Sequence, residues 1–85
     1  MVEMDFFVYI LYSEKFDRFY IGQTNDIQER LRRHNSGYEL ATAPYKPWEM
    51  KLFIRKSSRK DSMALEKKLK NLSRMRIVEF IKKYS

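Results

Sequence analysis

Six side chains in this sequence are of types and spacings that could carry chemistry: Tyr9, Tyr20, Arg30, His34, Glu66 and, by what it lacks, Gly22. Tyr9 and Tyr20 lie in two short apolar runs, "FVYIL" and "FYIGQT", that read as the arms of one β-hairpin. If Tyr12 pairs with Phe19, then Leu11 faces Tyr20 and Tyr9 faces Gly22, which sets both phenols and the glycine on one face of the sheet. A glycine inside a strand often marks close approach by a ligand or another backbone, so open space is expected above Gly22; a bulge or a plain core contact is the structural alternative. Arg30 can grip a phosphate with two parallel hydrogen bonds, which suits a guanidinium held partly by packing. Glu66 is one of only two acids between Lys51 and Arg76, a segment with ten Lys/Arg. A lone carboxylate there can hold Mg²⁺ or Mn²⁺ when water and phosphate oxygens complete the octahedron. Its structural alternative is an i,i+4 ion pair with Lys70, worth a few tenths of a kcal/mol.

The elements that must position these groups follow from periodicity. Phe6 to Tyr12 and Phe19 to Gln23 are rich in aromatic and β-branched residues and form the first two strands. In "TNDIQERLRRHNSG", Asn25 or Asp26 caps a helix, Gly37 ends it, and Ile27, Leu31 and His34 mark its buried stripe. Arg30 falls roughly 60–70° from the centre of that stripe at about 100° per residue, on its edge, while Arg32 and Arg33 point farther out. His34 also reads as a satisfied core or helix-end histidine. A loop from Tyr38 to Pro47 follows, whose Tyr38 and Tyr45 either stack on a ligand or cover the sheet. In "WEMKLFI", Trp48, Met50, Leu52 and Ile54 alternate with Glu49, Lys51 and Phe53 as a third strand. Ser58 caps a helix carrying Leu65, Leu69 and Leu72, with Asp61 at its N3 position; Ser73 caps a last helix whose Ile77, Phe80, Ile81 and Tyr84 face inward. The order is ββαβαα, an α+β fold with a small sheet covered by helices.

Bulk properties narrow the function classes. The 85 residues make one domain, 1–85, with no room for a second. There is no cysteine and His34 is the only histidine, which argues against a disulfide framework, a thiolate nucleophile or a zinc site built by this chain alone. The longest apolar run, Phe6 to Tyr12, is too short for a bilayer, and Glu3 and Asp5 stand where a basic leader would be, so a soluble, cytoplasmic protein without a membrane partner is expected. Net charge is +7, and it is uneven: residues 1–42 hold 5 Lys/Arg against 7 Asp/Glu, residues 43–85 hold 13 against 4. The C-terminal half is therefore the candidate polyanion surface, unless its cations only solvate helix faces.

Taken in order, "FVYI", "FYIG", Arg30 with His34 in "RLRRH", and Glu66 in "ALEKKLK" resemble the GIY-YIG nuclease superfamily over nearly the whole chain. The pieces "FVYIL", "YIG", "HNSG" and "SRMR" are most similar to its small stand-alone members. The resemblance implies a three-stranded antiparallel sheet flanked by helices, and a divalent-metal-dependent endonuclease acting on DNA, with RNA as an alternative. By the same resemblance, Tyr9 and Tyr20 are the tyrosines of the two motifs, Tyr20 serving in activation of the attacking water. Gly22 is the motif glycine, Arg30 the clamp on the scissile phosphate, His34 the residue at a position held by His or Tyr, and Glu66 the single ligand of Mg²⁺ or Mn²⁺. Gly22, Arg33, Lys46, Lys51, Lys67, Lys68 and Lys70 are the expected nucleic-acid contacts. Three departures bear on turnover: Gln23 stands where repair-type members carry lysine, Val78 where some carry asparagine, and Phe7 where the first motif has glycine. The competing readings are a catalytically weak nucleic-acid-binding module and a subunit that needs a protein partner for substrate choice.

Overall fold

A computed structural model describes residues 5–85; Glu3 lies outside the described residues. The elements are β1 (Phe6–Ser13), β2 (Arg18–Thr24), α1 (Ile27–Ser36), a short 3₁₀ turn (Ala43–Tyr45), β3 (Glu49–Lys56), α2 (Arg59–Lys70) and α3 (Arg74–Tyr84). This is the expected ββαβαα order, and the strands form one antiparallel sheet in the order β2-β1-β3. None of the described helices is long and apolar enough to cross a membrane.

The hairpin has the register read from sequence: Tyr12 pairs with Phe19, Leu11 with Tyr20 and Tyr9 with Gly22. Its turn places Asp17 at φ 54°, a left-handed conformation that aspartate tolerates better than most residues. Two side chains hold Asp17 there. Tyr12 donates its hydroxyl to Oδ1 at 2.6 Å, and Arg74 from α3 donates to the Asp17 carbonyl at 2.9 Å and also to the carboxylate.

Because β1 alternates, it feeds two cores. Val8 and Ile10 join Ile21, Leu52, Leu69 and Ile77 on the face covered by α2 and α3. Tyr9 and Leu11 join Trp48 on the other face, under Ile27 and Leu31 of α1. The third strand departs from simple alternation. Ile10 pairs with Leu52 but Leu11 pairs with Met50, so Lys51 is an extra, bulged residue. The bulge reverses the strand's phase: Trp48 and Met50 pack under α1, whereas Leu52 and Ile54 pack under α2 and α3. A single inward face for all four had been expected, and one inserted residue divides them because strand side chains repeat every two residues.

Each helix starts on an oxygen side chain. Asp26 accepts from the Glu29 amide, Ser58 from Asp61 and Ser73 from Arg76. Gly37 ends α1 at φ 88°, the left-handed cap that glycine adopts without steric cost. On α3, Ile77 is buried and Phe80 and Ile81 pack against the core, but Tyr84 is exposed and stacks on Phe80 at 4.6 Å. Its expected inward orientation fails at the last turn of the helix.

Candidate active site

The site grows from the segment "HNSG" at the end of α1, whose residues each have a separate task. His34 is buried, at 1% exposure, and bridges two side chains: its Nε2 lies 2.9 Å from Tyr9 Oη and its Nδ1 lies 2.8 Å from Thr42 Oγ1. Thr42 directs its only hydroxyl proton to the Glu39 carbonyl at 3.3 Å. Its oxygen must then accept from His34 Nδ1–H, which leaves Nε2 bare to accept the Tyr9 proton. This arrangement gives every donor in the chain an acceptor. Asn35 exchanges two hydrogen bonds with the backbone of Trp48, at 2.6 and 3.0 Å, and so fixes the entry to β3 against α1. The Trp48 indole donates to the Thr42 carbonyl at 2.9 Å, which ties the loop to the same point.

Burial sets the protonation of this relay. Tyr9 is 1% exposed; desolvation, followed by the nearby Tyr20 phenol, pushes its pKa well above the ordinary phenol value. Desolvation likewise depresses His34, which stays neutral. Tyr9 is therefore a protonated donor to His34 and cannot serve as a base at neutral pH.

The space above Gly22 is filled, which corrects the expectation of an opening. A Cβ built there would lie 2.5 Å from Tyr9 Oη and 2.7 Å from Cζ. The glycine is needed because the Tyr9 ring lies across β2 to reach His34. The open phenol is instead Tyr20, half-exposed, with its ring 4.9 Å from His34, 6.2 Å from Trp48 and 6.3 Å from Tyr9. Arg30 is half-buried on α1, at the stripe edge where its spacing placed it.

Glu66 comes from α2, on the other side of the sheet, and reaches the edge strand β2 at Gln23. Its Oε1 accepts from Gln23 Nε2 at 3.1 Å, and the Gln23 carbonyl oxygen accepts from Ser62 Oγ at 2.9 Å. The Glu66 carboxylate can only accept, so it fixes which end of the Gln23 amide faces it, while the Ser62 hydroxyl also lies 2.7 Å from the Arg59 carbonyl. The other oxygen, Oε2, lies 3.5 Å from Lys70 Nζ, so the anticipated i,i+4 pair exists. The Gln23–Ser62–Glu66 connection escaped sequence reasoning. Its one signal was Gln23 itself, a polar residue on a strand face otherwise committed to the core.

Among the described residues no three His, Asp or Glu side chains gather. Glu66 is the one carboxylate at the site, with its side chain 20% exposed. One carboxylate facing solvent fits a hard cation that keeps most of its ligands as water and substrate oxygens, and does not fit zinc.

Of the other expected cationic contacts, Lys70 lies beside Glu66, while the rest sit on separate elements. Arg33 pairs with Glu39 at 3.1 Å, Lys46 follows the 3₁₀ turn near Gly37, and Lys51 occupies the bulge and pairs with Glu49 at 3.3 Å. Lys67 and Lys68 are exposed on α2, and Lys70 is held by Glu66. The cations are thus spread over both layers. In the loop, Tyr45 covers the sheet beneath Arg18, whose guanidinium lies 4.1 Å from its ring centre, while Tyr38 is 70% exposed.

Comparison with known proteins bears on this geometry. Residues 5–83 match the family model described as the GIY-YIG catalytic domain. The fold is similar to the solution structure of the UPF0213 protein BH0048 from Bacillus halodurans, at 28% sequence identity and a TM-score of 0.61, covering 93% of this chain and 84% of that one. No curated protein matches. With the family model spanning residues 5–83, nearly all of the chain, this chain belongs to the GIY-YIG family.

Proposed function

We propose that the chain is a divalent-metal-dependent endonuclease that hydrolyses phosphodiester bonds in DNA. The observation that carries this reading is the division of labour between two phenols. Tyr9 is locked as a donor inside the fold, while Tyr20 beside it is half-exposed; Arg30 comes from α1 on one face of the sheet and Glu66 from α2 on the other. Family membership supplies the reaction class, and the residues supply the roles.

Arg30 grips the scissile phosphate, and its fixed fork sets the phosphorus in line with the attacking water. Tyr20 orients that water and takes up or relays its proton, a role that neighbouring positive charge favours. Arg30 is one source of that charge on the same face. Glu66, oriented by Gln23, would hold Mg²⁺ or Mn²⁺, whose bound charge supplies stabilisation of the leaving oxygen and its phosphate. His34 and Tyr9 are positioning residues. Their bond ties α1, the helix that carries Arg30, to β1 of the sheet.

One contact favours the competing reading of a weak or partner-dependent nucleic-acid-binding module. Lys70 sits on Glu66 and must swing away before a cation can use that oxygen. The pair is half-exposed at the lysine and worth only a few tenths of a kcal/mol, so metal and substrate together can displace it. The test is Glu66→Gln: it should abolish metal-dependent cleavage while salt-sensitive DNA binding persists. Cleavage that survives the substitution at the parent rate would defeat the assignment.

A further inference from the structure

At the outer end of β2 a cleft of about 270 Å³ is lined by Phe6, Gln23, Thr24, Asn25, Arg30 and Arg59. It straddles the sheet: Arg30 enters from α1 on one side and Arg59 from the first turn of α2 on the other. Neither guanidinium has an ion-pair partner among the described residues, whereas Arg32, Arg33, Arg55 and Arg74 each pair with a carboxylate. The lining contains no acid, and its remaining polar groups are the hydroxyl of Thr24 and the amides of Gln23 and Asn25. Two unpaired guanidinium groups facing one acid-free cleft are suited to an anion of extended shape.

Helical spacing relates this cleft to Glu66. Arg59, Ser62 and Glu66 fall at i, i+3 and i+7 on α2, the stripe that meets the β2 edge through the bond between Ser62 and Gln23. Seven residues of helix rise by about 10 Å, the axial rise of about three nucleotides of one strand at roughly 3.4 Å each. We infer that Arg59 is a substrate-positioning residue that binds a second backbone phosphate, so that the cleaved strand crosses the β2 edge between Arg30 and Arg59 with Phe6 against its sugar or base. The inference deepens the phosphodiesterase reading and rests on it.

The test measures binding of a fluorescent DNA duplex in EDTA, over a range of salt, by the parent, Arg59→Ala, Arg59→Lys and Lys60→Ala. Lys60 neighbours Arg59, carries the same charge and does not line the cleft. Arg59→Ala should weaken binding by about tenfold and reduce the slope of log affinity against log salt by about one; Arg59→Lys should keep the slope, and Lys60→Ala should change both less. In cleavage kinetics, Arg59→Ala should raise KM with kcat near the parent value, because a remote phosphate contact binds ground and transition states alike. Equal effects of Arg59→Ala and Lys60→Ala on a parent that binds and cleaves would overturn this inference alone. A parent that binds no DNA would overturn it together with the proposed function.

Discussion

Replacing Gly22 with alanine probes the centre of the structure, where the buried phenol crosses the edge strand. The added methyl would lie 2.5 Å from Tyr9 Oη, 2.7 Å from Cζ and 3.1 Å from Cε1. The ring has little room to retreat, since Tyr9 is 1% exposed and its hydroxyl is fixed on His34. Overpacking of this kind costs about 1–3 kcal/mol. If the ring moves enough to break its bond with His34, a buried ring nitrogen loses its partner, at a further cost of about 1–3 kcal/mol. Alanine regains about 0.5–1 kcal/mol through its lower backbone entropy. The net expectation is a loss of about 2–4 kcal/mol, a large part of the roughly 4–13 kcal/mol available to 85 residues. Urea unfolding reads this directly, and the melting midpoint should fall by roughly 10–25 °C. A double-mutant cycle isolates the cause: in a Tyr9→Leu background the clashing ring atoms are gone, so Gly22→Ala should be neutral or slightly stabilising. Equal costs in both backgrounds, or a single-mutant cost below about 0.5 kcal/mol, would refute the claim that Gly22 exists to admit Tyr9.

Two further outcomes test the relay behind Tyr9. Burial holds the folded pKa of His34 below its unfolded value near 6.5, so the unfolded chain binds a proton the native one does not; the associated stability is complete above about pH 6.5 and lost as pH falls toward the folded value. Urea midpoints between pH 7.5 and about 5.5 should therefore decline, and His34→Gln should flatten that decline; an unchanged slope in the variant would mean that His34 does not titrate as its burial implies. Thr42→Val keeps the shape but removes the partner of His34 Nδ1, and should cost about 1–3 kcal/mol, whereas Thr42→Ser should cost less; equal stability of Thr42→Val and parent would refute a stabilising Thr42–His34 bond.

The sequence carried the hairpin register because strand alternation and the turn residues leave few pairings that put Tyr9, Tyr20 and Gly22 on one face. It did not carry what fills the space above Gly22. That depends on the direction of the Tyr9 ring, and the ring is drawn over by a hydrogen bond to a residue 25 positions away. The β3 bulge was hidden for a related reason: neither glycine nor proline marks Lys51, and alternation through it looks unbroken until pairing with β1 is known. His34 was legible as buried, but its partner Thr42 and the Asn35 clamp on Trp48 were not, since loop contacts follow no period. Gln23 meets Glu66 across 43 residues and two layers of structure, which only the packed fold specifies. Tyr84 continued the apolar stripe of α3 yet faces solvent, because periodicity says nothing about where the core ends.

The proposed roles divide the two phenols: Tyr20 acts on substrate and Tyr9 supports it. The most direct measurement is single-turnover cleavage of labelled duplex, single-stranded and branched DNA by the parent, Tyr20→Phe and Tyr9→Phe, each with Mg²⁺, Mn²⁺ or EDTA. General acid–base roles contribute about 10²–10⁴-fold, so Tyr20→Phe should lose activity on that scale while remaining as stable as the parent. Tyr9→Phe should lose less activity and more stability, since it leaves His34 without its donor. No metal-dependent cleavage by the parent on any substrate, or full activity in Tyr20→Phe, would contradict the account.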